Sequence, residues 1–527
     1  MQSPASRRLV VSGPGTGKTT LFRMVLEEET AEPHERLILT FINNLAHELR
    51  RDLGHLARVY TFHGYCHFLL RRQPELRGGL GEAFLYFPKL VHIVKSDWEA
   101  LTGEEAPQFV RIMQRLERGP ATEFYVRRGN YYQAVGFDDS VFRVHEALVE
   151  NPDATTIRTV LVDEYQDFNQ LEVSLIDLLS GRGRLLVAGD DDQALYSQLR
   201  GSDARFIREI HGGGEYVPFM LPFCMRCTQV IVEAVGDLVR EARRRGHLAA
   251  RIDKPYLYYP PSKGGDSQAY PRIKLVQTTI QRQGPGNYFG RYIAEEIGHI
   301  PPAQIEEARA GRFPTVLVIA ADPYRWQIVD HLRLQGHTVD TSNPSEPFTI
   351  ERSDGLRILK ANAEANLGWR VMMELDQPQD TAELIRRCIQ SATPLGEMVP
   401  ADFRERILRE AAAWREPEAV QPEAPDEDVT RPTIRVTSFE GAKGLSAQHV
   451  FIAGLHQGEL PRNPNAIQDL EICRFLVALT RTRKQCHLLY TTHFANVSKR
   501  GSIFLRWLQN ERLDRIRVDR EYWRAPF

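Results

Sequence analysis

The chain has 527 residues, of which 42% are hydrophobic, 26% charged and 9% aromatic. That length exceeds what one hydrophobic core supports and implies roughly two to four domains. The ordinary composition excludes a disordered, collagenous or repeat-built chain. Lys plus Arg total 67 against 69 Asp plus Glu, a net charge of −2; no basic coat exists, so any nucleic-acid contact must come from a local groove.

In chain order, RRLVV (7–11) is a short β-branched run that stops at a Gly-rich turn, and LFRMVLEEE (21–29) then opens an amphipathic helix. Strand, Gly-rich turn and helix make the βα unit of a parallel sheet. Buried-strand candidates follow at 36–41, 159–164, 184–190, 315–320, 434–438, 449–454 and 486–490. Most precede a helical pattern, which predicts two doubly wound α/β domains. Residues 71–152 read as helices broken at Pro88, at Gly119 and Pro120, and at Gly136. The Pro-, Tyr- and Gly-rich stretch 253–272 reads as loop, 351–414 as helices again, and the acidic, Pro-rich stretch 415–432 as an exposed linker. No repeat recurs at a fixed period. The tail 502–527 reads as an amphipathic helix with a strand-like end packing on the second α/β domain.

No uncharged apolar run is long enough to span a membrane, and the N-terminal apolar stretch is too short for a secretion signal. The six Cys include one CxxC, Cys224 and Cys227, with no second pair or HxxxH to complete a metal site; Cys66, Cys388, Cys473 and Cys486 are scattered. A cytoplasmic chain with metal-free cysteines and no disulfide framework is expected.

The first chemical signal is SGPGTGKT (12–19). Gly15 and Gly17 permit a tight turn whose backbone N–H groups, with Gly13 in the same binding set, can wrap phosphates, and the following helix points its N-terminus at the anion. Lys18 would reach the β- and γ-phosphates of a nucleotide, and the Thr19 hydroxyl would hold Mg²⁺. Ser12 stands where the strict pattern has Gly. The second signal is VLVDEYQDFNQ (160–170). An apolar strand delivers Asp163 and Glu164 to its C-terminal end, where open α/β sheets bind ligands. Asp163 suits Mg²⁺, and Glu164 suits a general base for attacking water. Gln166 and Asp167 in the same stretch argue against a mere helix cap.

With LLVAGDDDQALYSQLRG (185–201), these motifs resemble motifs II and III of superfamily 1 helicases of the UvrD/Rep type. The others stand in the family's order: LTFINNLAHEL (39–49), TFHGYC (61–66), LPFCMRCTQVI (221–231) as motif IV, TSFEGAKGLSAQHVFIAG (437–454) as motif V and FLVALTRTRK (475–484) as motif VI. The resemblance implies an α/β fold of two RecA-like P-loop domains with ATP between them, moving 3′→5′ on single-stranded DNA. It implies a first domain over 1–70 and 153–221, a helical insertion (1B) over 71–152, a second domain over 222–345 and 431–527, and a reduced second insertion (2B) over 346–430. By the same resemblance Gln193 senses the γ-phosphate, Arg226 and Arg481 reach it from the second domain, and Thr20 and Gly444 join the nucleotide-contacting set. Phe41, Thr61, Phe62, His63 and Tyr196 fall where the family contacts DNA. An aromatic stack is worth roughly 1–3 kcal/mol per base and tolerates any sequence.

The chain departs from the family pattern at several places. Only 11 residues precede Ser12, where a Gln-containing motif usually lies. Met225 replaces the motif IV Tyr that stacks on adenine, Thr20 replaces a basic residue, and Ser446 replaces a Glu that contacts the ribose. Weak discrimination among ATP, GTP and dATP is therefore expected. One extra residue follows Tyr196 in motif III, which implies looser coupling of translocation to hydrolysis. The reduced 2B implies poor unwinding without a partner, as in compact helicases of repair and of anti-phage systems such as Gabija. The expected partners are single-stranded or 3′-tailed DNA and a nuclease or other defence or repair subunit. The alternative is a DNA-gated NTPase switch that licenses such an effector. RNA as the track stays open.

Overall fold

The computed structural model describes residues 6–41, 43–181, 183–195, 201–279, 288–341, 349–376, 381–391, 393–416, 431–494, 497–519 and 521–524. Its frame is two parallel sheets flanked by helices. The first has six strands in the order Arg58–Thr61, Arg36–Thr40, Thr159–Val162, Arg184–Gly189, Arg7–Ser12, Val217–Leu221. Strand alternation sends Leu9 and Val11 to one apolar cluster, with Phe62, Tyr65 and Leu175, and Val10 to the other, with Phe22, Leu26 and Leu49. Both faces are covered, which is why these strands are continuous apolar runs.

The second sheet has seven strands in the order Val339–Asp340, Ile434–Thr437, Val316–Ala320, Ala447–Ala453, Thr482–Thr491, Ile273–Thr278, Leu513–Val518, again all parallel. Leu317 and Ile319 face one core and Val316 and Val318 the other. Neighbouring strands end together, so in the first sheet Ser12 ends one strand, and Asp163 and Asp190 follow two others beside it, at one rim. That rim is the platform for a site.

The helices Leu90–Thr102, Pro120–Tyr132 and Phe137–Glu150 begin or end close to the breaks read from Pro88, Gly119 and Gly136. They share an apolar cluster with the first sheet. Helices Arg352–Ala361, Asn366–Asp376, Thr381–Ser391 and Ala401–Ala413 enclose a core of Trp369, Met372, Phe403 and Ile407. The two helical groups are joined by buried charge. Asp97 accepts from both Arg128 and Arg370 at 2.7 Å, and Lys89 meets Asp354 at 2.7 Å.

Three elements differ from the sequence reading. The stretch 253–272 is not all loop: helix Pro260–Ala269 forms with Pro at its start, where the missing N–H costs nothing, and a Lys263–Asp266 pair at 2.7 Å supports it. The tail forms two 3-10 turns, Ile503–Arg506 and Asn510–Arg512, instead of an amphipathic helix. Phe504, Leu505, Trp507 and Leu508 all enter one core, a density of apolar side chains that leaves no polar face for a helix. The strand-like end becomes the edge strand Leu513–Val518. Strand Val217–Leu221 was not foreseen because Pro218 interrupts it, and Pro is tolerated at a sheet edge. The linker expected at 415–432 lies mostly outside the described residues. Among the described residues no helix is long and apolar enough to cross a membrane.

Candidate nucleotide site and nucleic-acid face

The turn after strand Arg7–Ser12 places Gly15 at φ +72° and Gly17 at φ +92°, and helix Lys18–Glu28 starts at once. The Thr16 hydroxyl ties the turn by donating to the Gly13 carbonyl at 2.9 Å. Two of the glycines admit residues from beyond the first sheet. A Cβ on Gly15 would lie 2.4 Å from Cβ of Arg226, and one on Gly13 would lie 2.7 Å from the Tyr256 ring. Met225 N–H donates to the Gly15 carbonyl at 2.9 Å, and the Tyr256 hydroxyl donates to the Pro14 carbonyl at 3.0 Å.

Lys18 Nζ lies 2.6 Å from Glu164 Oε1 and 3.5 Å from Asp163 Oδ1. Burial alone would lower the Lys18 ammonium, but the two carboxylates overturn this and hold it above its ordinary value. Burial works against charge on Glu164 too, yet Lys18 and Lys443 hold its carboxyl well below the usual carboxylate range. Gln166 Nε2 donates to Glu164 Oε2 at 2.6 Å. Glu164 adopts φ +56°, a left-handed conformation uncommon outside Gly. Asp163 is raised by burial, with Lys18 opposing and Glu164 reinforcing. The half-buried Thr19 hydroxyl and the Asp163 carboxylate are hard oxygen donors that fit Mg²⁺. Thr20 is exposed, and Gly444, at φ +81°, lies exposed in the turn before Leu445.

Arg481 crosses to this rim from the second sheet. Its Nη2 donates to Gln193 Oε1 at 3.1 Å, and Gln193 Nε2 donates to Asp190 at 2.8 Å. Backbone carbonyls of Val477 and Leu445 fix the guanidinium. Burial, then repulsion from Arg226, bring Arg481 down to about 10. Arg226, half-buried over Gly15, has no ion-pair partner among the described residues.

Sequence reading missed several members. Lys443, in motif V, is buried and donates to Asp167 Oδ2 at 2.5 Å and to the Gln193 carbonyl, 3.7 Å from Glu164. Asp167 is pushed up to about 6 by burial despite that partner. Its place between Gly441 and Gly444, as the single Lys of motif V, was the available signal. Asp190, Asp191 and Asp192 could by geometry hold a cation, but Lys254 Nζ lies 2.8, 2.5 and 3.0 Å from them, with Arg251 on Asp192 and Arg208 on Asp191. No local pattern announces Lys254 or Tyr256.

The expected DNA contacts are placed less uniformly. Phe41 is half-buried, edge-on to Phe168 at 6.3 Å. Thr61 caps helix Phe62–Arg72, accepting from Gly64 N–H. His63 is 8% exposed and edge-on to Phe137 at 5.3 Å. Phe62 is 1% exposed and packs on Phe168 at 5.3 Å. Its ring belongs to the core and offers no face to a base, a correction to the reading above; the first turn of its helix points inward onto the sheet. Tyr196 lies outside the described residues.

A family model described as an AAA domain matches residues 1–198. DNA helicase II of Escherichia coli (strain K12) is 26% identical over 298 residues, 47% of this chain and 40% of that protein. The ATP-dependent DNA helicase PcrA of Staphylococcus epidermidis is 25% identical over 306 residues, 50% and 41%. DNA helicase II of Rickettsia typhi is 26% identical over 338 residues, 55% and 48%. The chain is similar to the UvrD-like superfamily 1 helicases. It matches less than half of the length of these relatives. In this helicase-like frame Lys18, Thr19, Asp163 and Glu164 come from the first sheet's rim, and Arg226, Lys443 and Arg481 approach from the other side.

Proposed function

We propose that the chain is an ATP-driven motor on single-stranded DNA, moving 3′→5′, in a repair or anti-phage setting. The observation that carries this is the Arg481–Gln193 hydrogen bond at 3.1 Å, which joins the second sheet's arginine to the loop beside Lys18 and Glu164. The proposed division is a first domain at 1–70 and 153–221, insertions at 71–152 and 346–430, and a second domain at 222–345 and 431–527. Gly13, Gly15, Gly17, Lys18, Thr19, Thr20 and Gly444 bind the nucleotide, with Mg²⁺ held by Thr19 and Asp163. The metal, when bound, supplies charge neutralisation on the phosphates. Glu164, kept ionised by Lys18 and Lys443, takes the proton from the attacking water. Arg226 and Arg481 stabilise charge on the phosphoryl group; such arginines are worth about 10³–10⁵ in rate. Both lie across the cleft from Lys18, so nucleotide draws the domains together and hydrolysis releases them. Phe41, Thr61, His63 and Tyr196 are the proposed DNA side.

One observation favours the second reading, a DNA-gated switch that licenses a partner nuclease. The helices at 352–413 are fixed to the first insertion through the buried Asp97 contacts, which suits a static docking block better than an unwinding arm. Hydrolysis of ATP with and without single-stranded DNA, beside Lys18→Ala and Glu164→Gln, tests the shared machinery. DNA-stimulated turnover lost in both variants supports it; no turnover with DNA overturns it. Strand displacement on a 3′-tailed duplex separates motor from switch.

A further inference from the structure

We propose that Arg483 is a third nucleotide-contacting arginine, acting beside Arg226 and Arg481 on the phosphate chain of a nucleoside triphosphate. The proposal rests on the nucleotide-site reading above and extends it to a residue outside that set.

Arg481 and Arg483 stand two residues apart where strand Thr482–Thr491 begins, so strand alternation gives them a common side and sends Thr482 and Lys484 to the other. Their environments differ accordingly. Lys484 is neutralised by Asp266 at 2.7 Å and Glu307 at 2.9 Å. Arg483 has no carboxylate within ion-pair distance among the described residues. Its Nε donates to Ser446 Oγ at 3.1 Å, and its guanidinium lies 3.8 Å from the Phe313 ring centroid. These contacts hold the guanidinium plane without neutralising it. Its terminal nitrogens, Nη1 and Nη2, have no hydrogen-bond partner among the described residues.

Arg226 repels Arg483, with Glu307 and Glu48 opposing it from beyond ion-pair distance. Burial, then repulsion from Arg226, bring Arg483 down to about 10, and Arg226 acts likewise on Arg481. Arg226 itself lies over Gly15 of the phosphate loop. Ser446, which fixes Arg483, is three residues from Lys443, and Lys443 reaches Glu164. Arg226 repels both Arg481 and Arg483 beside a phosphate-binding turn, and a ligand of several negative charges relieves that repulsion. A planar fork with two free donors matches adjacent phosphate oxygens. Arg481 is already engaged with Gln193, which leaves Arg483 and Arg226 as the pair with free donors for the more exposed part of the chain.

Steady-state ATP hydrolysis and binding of fluorescent ATP and ADP analogues should be compared for the unaltered protein, Arg483→Ala, Arg483→Lys and Arg481→Ala, with melting temperature as a check on folding. Arg483→Ala is expected to raise KM about tenfold, the order set by one charge-assisted hydrogen bond, while kcat stays within about threefold. Arg481→Ala is expected to lose kcat instead. Arg483→Lys, which keeps the charge and loses the fork, should recover part of the KM. Phe313→Leu, which loosens the platform and keeps the guanidinium, should raise KM less than Arg483→Ala. An unchanged KM in Arg483→Ala or, if that variant does not fold, in a folded Arg483→Lys overturns the assignment of Arg483 alone. Failure of the unaltered protein to bind either nucleotide overturns the site reading and this proposal with it.

Discussion

Asp97 Oδ1 accepts from Arg370 Nε at 2.7 Å, and both side chains are fully buried. Arg128 donates to the other carboxylate oxygen at 2.7 Å, so one anion serves two buried cations from different helical groups. Removing one member of such a set leaves uncompensated buried charge, at a cost of about 3–5 kcal/mol. Asp97→Asn should therefore lose stability on that order in urea unfolding and loosen the packing of helix Asn366–Asp376 on helices Leu90–Thr102 and Pro120–Tyr132. A loss below about 1 kcal/mol would mean that the apolar contacts alone hold the two groups together.

Gly15→Ala should abolish nucleotide binding. The residue sits at φ +72° and its new Cβ would meet Arg226 Cβ at 2.4 Å. The backbone term alone is about 1–2 kcal/mol, and the clash adds displacement of Arg226. Fluorescent-nucleotide titration checks it, and wild-type affinity would refute the close approach of Arg226 to the loop.

Gln193 and Arg481 should behave as one unit. Arg481→Ala is expected to lower kcat by about 10³-fold or more, and Gln193→Ala by less, since it orients a group that remains present. The double variant should be no slower than Arg481→Ala, because their hydrogen bond makes the effects non-additive. Fully multiplicative losses would show that the two act independently.

Asp167 gives a pH signature. An unfolded Asp holds its proton only below about 4, whereas burial lets Asp167 hold it up to about 6 in the fold. Between those values the folded state binds more protons than the unfolded one. This group's contribution therefore favours folding below pH 4 and is lost as pH rises through 6. Asp167→Asn removes it, so the stability of the variant relative to the unaltered protein should rise from pH 4 to pH 6.5. A pH-independent difference in paired urea titrations would show that Asp167 does not titrate in this window.

Nucleobase selection should be weak. Met225 is 45% exposed beside Gly17, and it offers a flexible thioether without a hydrogen-bonding edge. The ratio of kcat/KM for ATP and GTP is expected to stay below about 100-fold, roughly 2.7 kcal/mol. A larger preference would reveal a base-reading contact.

Much of the frame was legible because its signals are local. The run 159–164 shows itself as a buried strand through consecutive apolar residues, and strand Thr159–Val162 duly pairs on both sides. The turn at 12–19 declares itself through glycines beside Lys18 and Thr19, residues contiguous in the chain. Phe62 shows the limit. An aromatic at a helix start has the same sequence signature whether it faces a base or a core, and packing on Phe168 decided for the core. The tail shows another, since apolar density predicts burial without fixing the backbone that achieves it.

The sequence by itself determined the α/β architecture, the phosphate turn with Lys18 and Thr19, and the acidic strand end at Asp163 and Glu164. Each depends on neighbours in the chain, where periodicity and turn chemistry act directly. Only the tertiary structure decided that Lys443 stands on Asp167, that Lys254 holds three aspartates, that Tyr256 lies against Gly13 and that Arg483 stacks on Phe313. Those partners are dozens to hundreds of residues apart, and a lone Lys, Arg or Tyr carries no mark of its counterpart until two sheets bring their rims together.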